Sequence, residues 1–427
     1  METLDAIVVG AGPAGSAAAY SLAKAGLQVM LVERSKTPGE KNVSGGVLYG
    51  QVLHDLIPNY WEQAPVERRI TAYRLSLLSQ ESAFTLDFSS GKRNPVPNDG
   101  YSLNRYKFDQ WFAKQAENAG AFLASGIRVD DLLWEENRII GIKAGTDEVH
   151  ANVVIAADGV NSLLTEKAQL RRDHTPEQMG LGIKEVYKLP RETIEERFNL
   201  VGNEGAVYHF IGCTKGYPGG GFLYTNQDTL SLGLVIFLPA FGVAKDTAHD
   251  LMEHFKSYPF IQRLLRGGEL KEYSAHLVPE GGYEGITKLF TNGFLVTGDA
   301  AGLAFNTGYA LEGMNFAIAS GIAAAETVIA ATKTGDFSKS SLKRYEKLLR
   351  ESFVLKDMKT FKRARNLLNN SRLHTTYPNL VNAFAADLFT PKVKPRQKLI
   401  QLLIRHVLGN VSIPSLIHDG LQAVRGL

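Results

Sequence analysis

Cysteine is almost absent: the 427 residues contain one, Cys213. A single thiol excludes an internal disulfide, a cysteine-built structural zinc site and an iron–sulfur cluster drawing four thiolates from this chain. Any such cluster must sit on a partner. The ten histidines are scattered without H-x-x-x-H or H-E-x-x-H spacing, so no metal site is expected. Long apolar runs are also missing; none reaches the ~18 uninterrupted residues needed to span a bilayer. No basic segment precedes the N-terminal apolar stretch, and Asp5 and the following glycines break it, which argues against a signal peptide. The expected location is cytoplasmic, at most peripheral on the cytoplasmic membrane.

Acidic residues are scarce at one end. Residues 341–427 hold 16 Lys and Arg against 5 Asp and Glu, a surplus of eleven, although the whole chain carries only +3. The remainder is therefore acidic by eight. Such a block reads as solvated helix faces or as a docking surface for an anionic partner, membrane headgroups included. No nucleic-acid-binding motif accompanies it, so nucleic acid is not an expected partner. With 44% hydrophobic and 21% charged residues the composition is that of a folded globular protein, and 427 residues exceed what one core serves. Two or three interleaved lobes follow.

What is present begins at the N-terminus. Ala6-Ile7-Val8-Val9 is a short, largely β-branched run ending at Gly10, an Ala-rich stretch follows from Pro13 to Ala25, and Val29-Met30-Leu31-Val32 ends at Glu33. This reads as strand, tight turn, helix, strand. The turn, Gly10-Ala11-Gly12-Pro13-Ala14-Gly15, matches G-x-G-x-x-G. Gly10 permits the turn, Gly12 admits a pyrophosphate to the backbone, and Gly15 lets the helix pack on the strand, while the helix N-terminus supplies free N–H donors. Glu33, at the end of the second strand, suits the hydroxyls of a ribose. Farther on, Ile70 to Phe88 and much of Met179 to Phe237 alternate polar and apolar residues, as antiparallel sheet does, with Gly216 to Gly221 reading as a turn-rich break. Small and apolar residues run from Leu311 to Thr332, and helical patterns dominate from Ser341 onward.

Two downstream segments decide the dinucleotide. Val153 to Ser162, an apolar strand followed by Asp158-Gly159, resembles the strand plus Asp-Gly motif of the para-hydroxybenzoate hydroxylase-type flavoproteins, and Phe294-Leu295-Val296-Thr297-Gly298-Asp299-Ala300-Ala301-Gly302 resembles their second flavin motif. The resemblance implies FAD, with Asp299 on the ribityl chain. It also implies a helix, starting between Gly308 and Gly313, that aims its N-terminus at the flavin ring, where it stabilises the negative charge of the reduced form.

Glu40 to Leu48, Gly182-Ile183-Lys184-Glu185 and Gly219-Gly220-Gly221-Phe222-Leu223-Tyr224 resemble the electron-transfer flavoprotein:quinone oxidoreductases along nearly the whole chain. The length, the lone cysteine and Tyr309-Ala310-Leu311-Glu312-Gly313-Met314-Asn315 are similar to the FixC family within that group. The resemblance implies an α/β fold of mixed α+β character. A Rossmann-like FAD-binding domain (1–68, 100–172 and 288–340) would interleave with an antiparallel-sheet substrate or quinone domain (69–99 and 173–287), and a helical basic region (341–427) would follow. It implies FAD contacts at Gly10, Gly12, Ala14, Gly15, Glu33, Arg34, Ser44, Gly45, Arg105, Val129, Asp158, Gly159, Gly298, Asp299 and Gly308. Tyr224, Phe305, Tyr309 and Met314 would line an apolar slot for a quinone ring. No acid/base dyad stands out, which suits electron transfer through a flavin. Implied partners are electron-transfer flavoprotein alpha and beta-like subunits, a ferredoxin-like FixX-type iron–sulfur subunit, a quinone and a membrane surface; any splitting of electrons between two acceptors would reside in a partner flavin.

Alternatives on the same fold are a geranylgeranyl-reductase-like prenyl reductase, an FAD monooxygenase, and a non-enzymatic binder of prenylated proteins. The first usually carries Pro-x-x-Gly-Gly-Gly where this chain has Phe305-Asn306-Thr307-Gly308-Tyr309. In the tail, Lys392, Lys394, Arg396 and Lys398 precede Leu399 to Leu408, whose Leu399, Ile400, Leu403, Ile404, Val407 and Leu408 oppose Gln401, Arg405 and His406. Packing or subunit docking of that apolar face is expected somewhat ahead of lipid contact.

Overall fold

The computed structural model describes residues 3–40, 45–89, 99–171, 175–242, 246–308, 310–391 and 396–426. Its first sheet is built on Leu4–Val9, whose Ala6, Ile7 and Val8 are wholly buried. A strand covered on both faces reads as a continuous apolar run, and this one is central. It pairs in parallel with Val29–Glu33 on one side and with Asp147–Ala156 on the other. Phe122–Ser125 extends the sheet beyond Val29–Glu33, and Phe294–Val296 extends it beyond Asp147–Ala156, both again parallel. The helices Pro13–Lys24 and Met314–Thr334 contribute to the core on this sheet, and their small residues let them touch. A Cβ on Gly321 would stand 2.2 Å from the carbonyl oxygen of Ala14. Met314–Thr334 is apolar and long enough to cross a membrane, but it is largely buried inside the protein. It is a core helix that begins just past the Gly308–Gly313 window, capped by Gly313.

The second sheet runs, in spatial order, through Glu269–Pro279, Met179–Lys188, Thr229–Phe237, Gly219–Thr225, Glu204–Ile211, Val66–Leu78, Gly100–Leu103 and Gly46–Tyr49. Ala83–Ser89 pairs beside Val66–Leu78. All neighbours are antiparallel except Glu204–Ile211 on Val66–Leu78. Gly46–Tyr49 and Gly100–Leu103, placed by the sequence with the dinucleotide-binding segments, pair into this sheet. The alternation holds strictly in Val66–Leu78, where every second residue from Arg68 to Leu78 is buried. Between Met179 and Phe237 the sheet is interrupted by the helix Arg191–Phe198. The Gly219-Gly220-Gly221 run is a strand start, not a turn. It lacks side chains because a Cβ on Gly221 would meet the Phe255 ring at 2.8 Å and the Cys213 sulfur at 3.0 Å. Leu223, Leu234 and Ile236 pack in the core with the helix Ala248–Ser257, while Phe222, Tyr224 and Val235 line the cavity described below.

The C-terminal helices join both sheets. Tyr345 donates to the Val296 carbonyl (2.9 Å) at the first sheet, and Asn382, on Thr376–Phe389, donates to the Leu77 carbonyl (2.8 Å) at the second. Arg372 grips Asp419 through Nε (2.6 Å) and Nη2 (2.5 Å), tying Ile413–Gly426 back to the chain before it. The apolar face of the helix Leu399–Asn410 is not packed within this chain. On its other side Arg405 and His406 both bond Asp387 on Thr376–Phe389, His406 at 2.9 Å. Leu399, Ile400, Leu403, Ile404 and Leu408 are left 40–59% exposed, and only Leu402 of this helix is buried. A partner carboxylate on the neighbouring helix decides which face is covered.

Arg68 is the buried clamp of the second sheet. Fully inaccessible, its guanidinium donates to the carbonyls of Asn226 (2.6 Å), Gly202 (3.0 Å), Glu204 (3.0 Å) and Gln227 (3.1 Å) and pairs with Glu195 (3.4 Å). Removing it strands several buried acceptors at once. Arg68→Ala is expected to lower the free energy of unfolding by about 3–5 kcal/mol, read from denaturant titrations, and Arg68→Lys to recover only part of that.

Candidate active site

A cavity of about 630 Å³ lies between the two sheets. The first sheet supplies it with the turns that follow its strands. Gly10 sits at φ +106°, where a Cβ would collide with the Ala157 carbonyl oxygen at 2.2 Å, so the turn requires glycine. Gly12 has no such neighbour; a Cβ there would meet only Arg105 Nη2, at 3.9 Å, and the space beyond belongs to the cavity. Gly15 is spent on packing, with the Gly10 carbonyl oxygen 1.8 Å from where its Cβ would be. The Glu33 carboxylate accepts from the backbone N–H groups of Ala11 (2.9 Å) and Ser35 (2.8 Å), fixing the glycine turn to the end of the second strand while still lining the cavity.

Two helices begin on this cavity without a side-chain cap and without an acid in the first turn: Pro13–Lys24 after Gly12, and Met314–Thr334 after Gly313. Their free N–H groups and positive dipole ends suit an anion. Among the acids, Asp158 is half-buried, with Oδ2 on the Leu164 N–H (3.1 Å) and an inaccessible Oδ1 lacking any partner among the described residues; loss of water pushes its pKa up to about 6. Asp299 lines the cavity as well, its carboxyl raised by burial and opposed by Arg105. Burial works against the charge of Arg105, but its bidentate pair with Asp109 (2.9 and 2.8 Å) holds its pKa above the ordinary value.

Most of the expected flavin contacts meet here: Gly10, Gly12, Ala14, Glu33, Arg34, Gly45, Arg105, Val129, Asp158, Gly159, Asp299 and Gly308 all line the cavity. Gly15 and Gly298 do not. Gly298 is a packing position, at φ +59° with a Cβ clash of 2.9 Å against Ala14, and its N–H donates to Ser320 Oγ (2.9 Å). Ser44 lies outside the described residues, as does Tyr309. Tyr224 and Met314 line the cavity. Phe305 does not belong to its wall; it is buried, stacked on Phe316 at 5.0 Å and edge-on to Phe361 at 5.3 Å, because its strand turns that side chain into the core of the first sheet.

The wall also holds residues to which the sequence assigned no role. Lys184 is 1% exposed on the cavity wall, its pKa pulled down to about 7 by burial against the opposing pull of Glu272. His209 is lowered to about 4 by burial, and His276, Glu280 and Asn306 share the same wall. His374 reaches it from the C-terminal helices. Cys213 is fully buried in the core of this sheet, its thiol pushed up to about 12 by burial.

Comparison with known proteins places the chain. Residues 5–166 match the family described as FAD dependent oxidoreductase, residues 179–278 match ETF-QO, ubiquinone-binding, and residues 364–427 match the ETF-QO/FixC family C-terminal domain. Protein FixC of Escherichia coli O157:H7 is 44% identical over 424 residues, 99% of each chain. The chain belongs to the ETF-QO/FixC family. A second relative, the probable electron transfer flavoprotein-quinone oxidoreductase YdiS of Escherichia coli K12, is 43% identical over all of this chain and 99% of its own length. Among solved structures, a geranylgeranyl bacteriochlorophyll reductase-like protein from Thermoplasma acidophilum superposes with a TM-score of 0.72 at 20% identity, covering 98% of both chains. The myxobacterial chondrochloren halogenase CndH does so at 0.68 and 16% identity, covering 100% of this chain and 97% of its own. These neighbours establish the fold shared with FAD-binding flavoproteins, and this ETF-QO/FixC family member is an FAD-dependent oxidoreductase.

The cavity fits that cofactor. Two uncapped helix starts, an open Gly12 and an orphaned Asp158 oxygen are the donors, the space and the acceptor a flavin dinucleotide asks for. Gly12 and Ala14 would hold the pyrophosphate, Glu33 the adenosine ribose, Asp299 the ribityl chain, and the Gly313–Met314 helix start the flavin ring. FAD, when bound, supplies reversible two-electron chemistry; the chain supplies placement, charge compensation and exclusion of water. The two glycines of the turn separate binding from folding. Gly12→Val is expected to fold with an unchanged melting temperature and to purify without flavin absorbance, whereas Gly10→Ala is expected to lose at least about 1 kcal/mol of stability, measured by thermal denaturation of the apoprotein.

Proposed function

We propose that this chain is the FAD subunit that receives electrons from an electron-transfer flavoprotein module and delivers them to a quinone, with a ferredoxin-like iron–sulfur protein as companion. One observation carries the reading: the segment matching the ubiquinone-binding family, residues 179–278, forms the wall of the same cavity whose opposite wall carries the dinucleotide turns. Flavin and quinone would thus meet inside one chamber. Phe222 and Tyr224, stacked at 4.9 Å, give that wall an aromatic surface for a ring, and burial raises the Tyr224 phenol so that it stays neutral. With one cysteine here, the cluster of such a companion would take its thiolates from another chain.

The reading is tested by anaerobic reduction of the holoprotein followed by mixing with a water-soluble ubiquinone analogue. Flavin reoxidation at catalytic rates is expected, with slow reduction by NADH or NADPH alone, since the one dinucleotide fingerprint is taken by FAD. Fast bleaching by NADPH combined with no response to quinone would favour the prenyl-reductase alternative.

The C-terminal helix pair supports contact with a membrane, the source of an apolar quinone. Leu399–Asn410 and Ile413–Gly426 meet at 98° and expose Ile400, Ile404, Ile413, Ile417 and Leu421 at 49–58%. Arg396 and Lys398 stand before them; Lys392 and Lys394 lie outside the described residues. An apolar face flanked by cations lies in an interface. The protein is expected to float with anionic liposomes at low salt, and the double variant Ile404→Asp, Ile417→Asp is expected to float at least about tenfold less, each buried side chain being worth roughly 1.5–3 kcal/mol. Its FAD content should not change; equal flotation would assign the face to a protein partner.

A further inference from the structure

Beside the main cavity lies a second one of about 20 Å³, room for about one water molecule. Its lining includes Tyr283, Phe305, Phe361, Lys362 and Arg365, and three residues, Glu280, Ala304 and Asn306, line both spaces. Glu280 is therefore part of the partition. It is 5% exposed, at the end of the strand Glu269–Pro279, and its Oε2 accepts from Asn306 Nδ2 at 3.1 Å. Its other oxygen, Oε1, is buried with no hydrogen-bond partner among the described residues, and so is the Nε of Arg365 in the lining of the small cavity. Asn306 is itself held in place, its Oδ1 accepting from the Gly308 N–H at 2.8 Å. A carboxyl group with one oxygen fixed and one buried and unpartnered costs stability unless that oxygen has a use.

We infer that Glu280 is the proton donor to a quinone oxygen in the main cavity, reloaded through the water-sized cavity beside Arg365. The inference rests on the quinone reading of that chamber. Conversion of a quinone to a quinol adds two electrons and two protons. The electron pair and one proton come from the anionic reduced flavin; the second proton leaves Glu280 as its O–H bond breaks and a quinol O–H bond forms, and the carboxylate then takes a proton from the side cavity. Burial holds the Glu280 acid up to about 7, against the hydrogen bond from Asn306 and the charge of Arg365, so the protonated form is present at neutrality. The other titratable and charged groups lining the two spaces are Arg365, Lys362 and Tyr283 on the small cavity, and Asp299, His276, His374, His209, Lys184, Arg105, Tyr224, Glu33, Arg34, Arg128, Asp130, Asp158 and Lys167 along the main one.

The test compares wild type, Glu280→Gln and Glu280→Asp as holoproteins with verified FAD content and melting temperature. Each is reduced anaerobically and mixed with a water-soluble ubiquinone analogue from about pH 6 to about pH 9, and the carboxylic acid C=O band is titrated separately by infrared spectroscopy of the oxidised protein. In wild type the reoxidation rate should be level on the acid side and fall as pH rises through the Glu280 pKa, because the donor is lost on deprotonation. Glu280→Gln should be at least about tenfold slower with no such fall, Glu280→Asp should be slowed but keep it, and in Glu280→Gln the infrared band should lose the component titrating at about 7 while keeping that of Asp158 at about 6. A Glu280→Gln protein with wild-type rate and pH dependence, or an unchanged infrared titration, overturns the inference and leaves the quinone reading intact. Failure of the wild-type protein to respond to any quinone removes the acceptor and overturns both.

Discussion

The helices Pro13–Lys24 and Met314–Thr334 lie closer together than side chains ordinarily allow, and the geometry of the cavity depends on that contact. Gly321 brings one backbone against the Ala14 carbonyl, while Gly15 brings the same helix against Gly10 and hence against the central strand. An alanine completes the approach: a Cβ on Gly321 would stand 3.2 Å from the Cβ of the buried Ala17. A longer residue at either glycine would tilt a helix and carry its N-terminus away. Because neither pivots, two sets of unpaired N–H groups converge on one chamber without any lysine or arginine from the helices themselves.

Within that chamber, burial does most of the electrostatic work. Carboxyls such as Asp158 and Glu280 are pushed toward their neutral forms, and so are Lys184 and His209, from the opposite direction. The common cause is loss of water, which penalises whichever form is charged. A wall of this kind favours an uncharged, ring-shaped ligand. Arg105 is compensated by Asp109 at 2.8 Å, and Glu33, Arg34, Arg128, Asp130 and Lys167 also line the chamber.

Features that were readable in the sequence share a local cause. Gly10, Gly12 and Glu33 belong to one turn and the two strands it serves, so spacing alone located them; Asp158 and Asp299 each come shortly after an apolar strand. Glu280, Lys184 and His276 are positioned otherwise. Their places come from sheet register, in which Gly182 faces His276 and Gly180 faces Val278 across strands about ninety residues apart in the chain. A lone acid ahead of Gly281-Gly282 carries no periodic signal, although an acid closing an alternating strand just before two glycines is the pattern that would have flagged it. Phe305 misled for the same reason, since a two-residue strand can present either side. The tail helix showed two chemically distinct faces, but only Asp387, on another helix, determines which of them is covered.

The interleaving of the sheets also governs how the protein can be made. Leu4–Val9 finds one neighbour in Asp147–Ala156, which waits in turn for Phe294–Val296, and Val66–Leu78 waits for Glu204–Ile211. During synthesis the N-terminal strands therefore emerge long before the segments that complete them. Until residue 296 has left the ribosome, the first sheet has an open, apolar edge, and such edges invite pairing with other chains. Over most of its synthesis the nascent chain thus carries an unfinished sheet, a consequence of strand order alone.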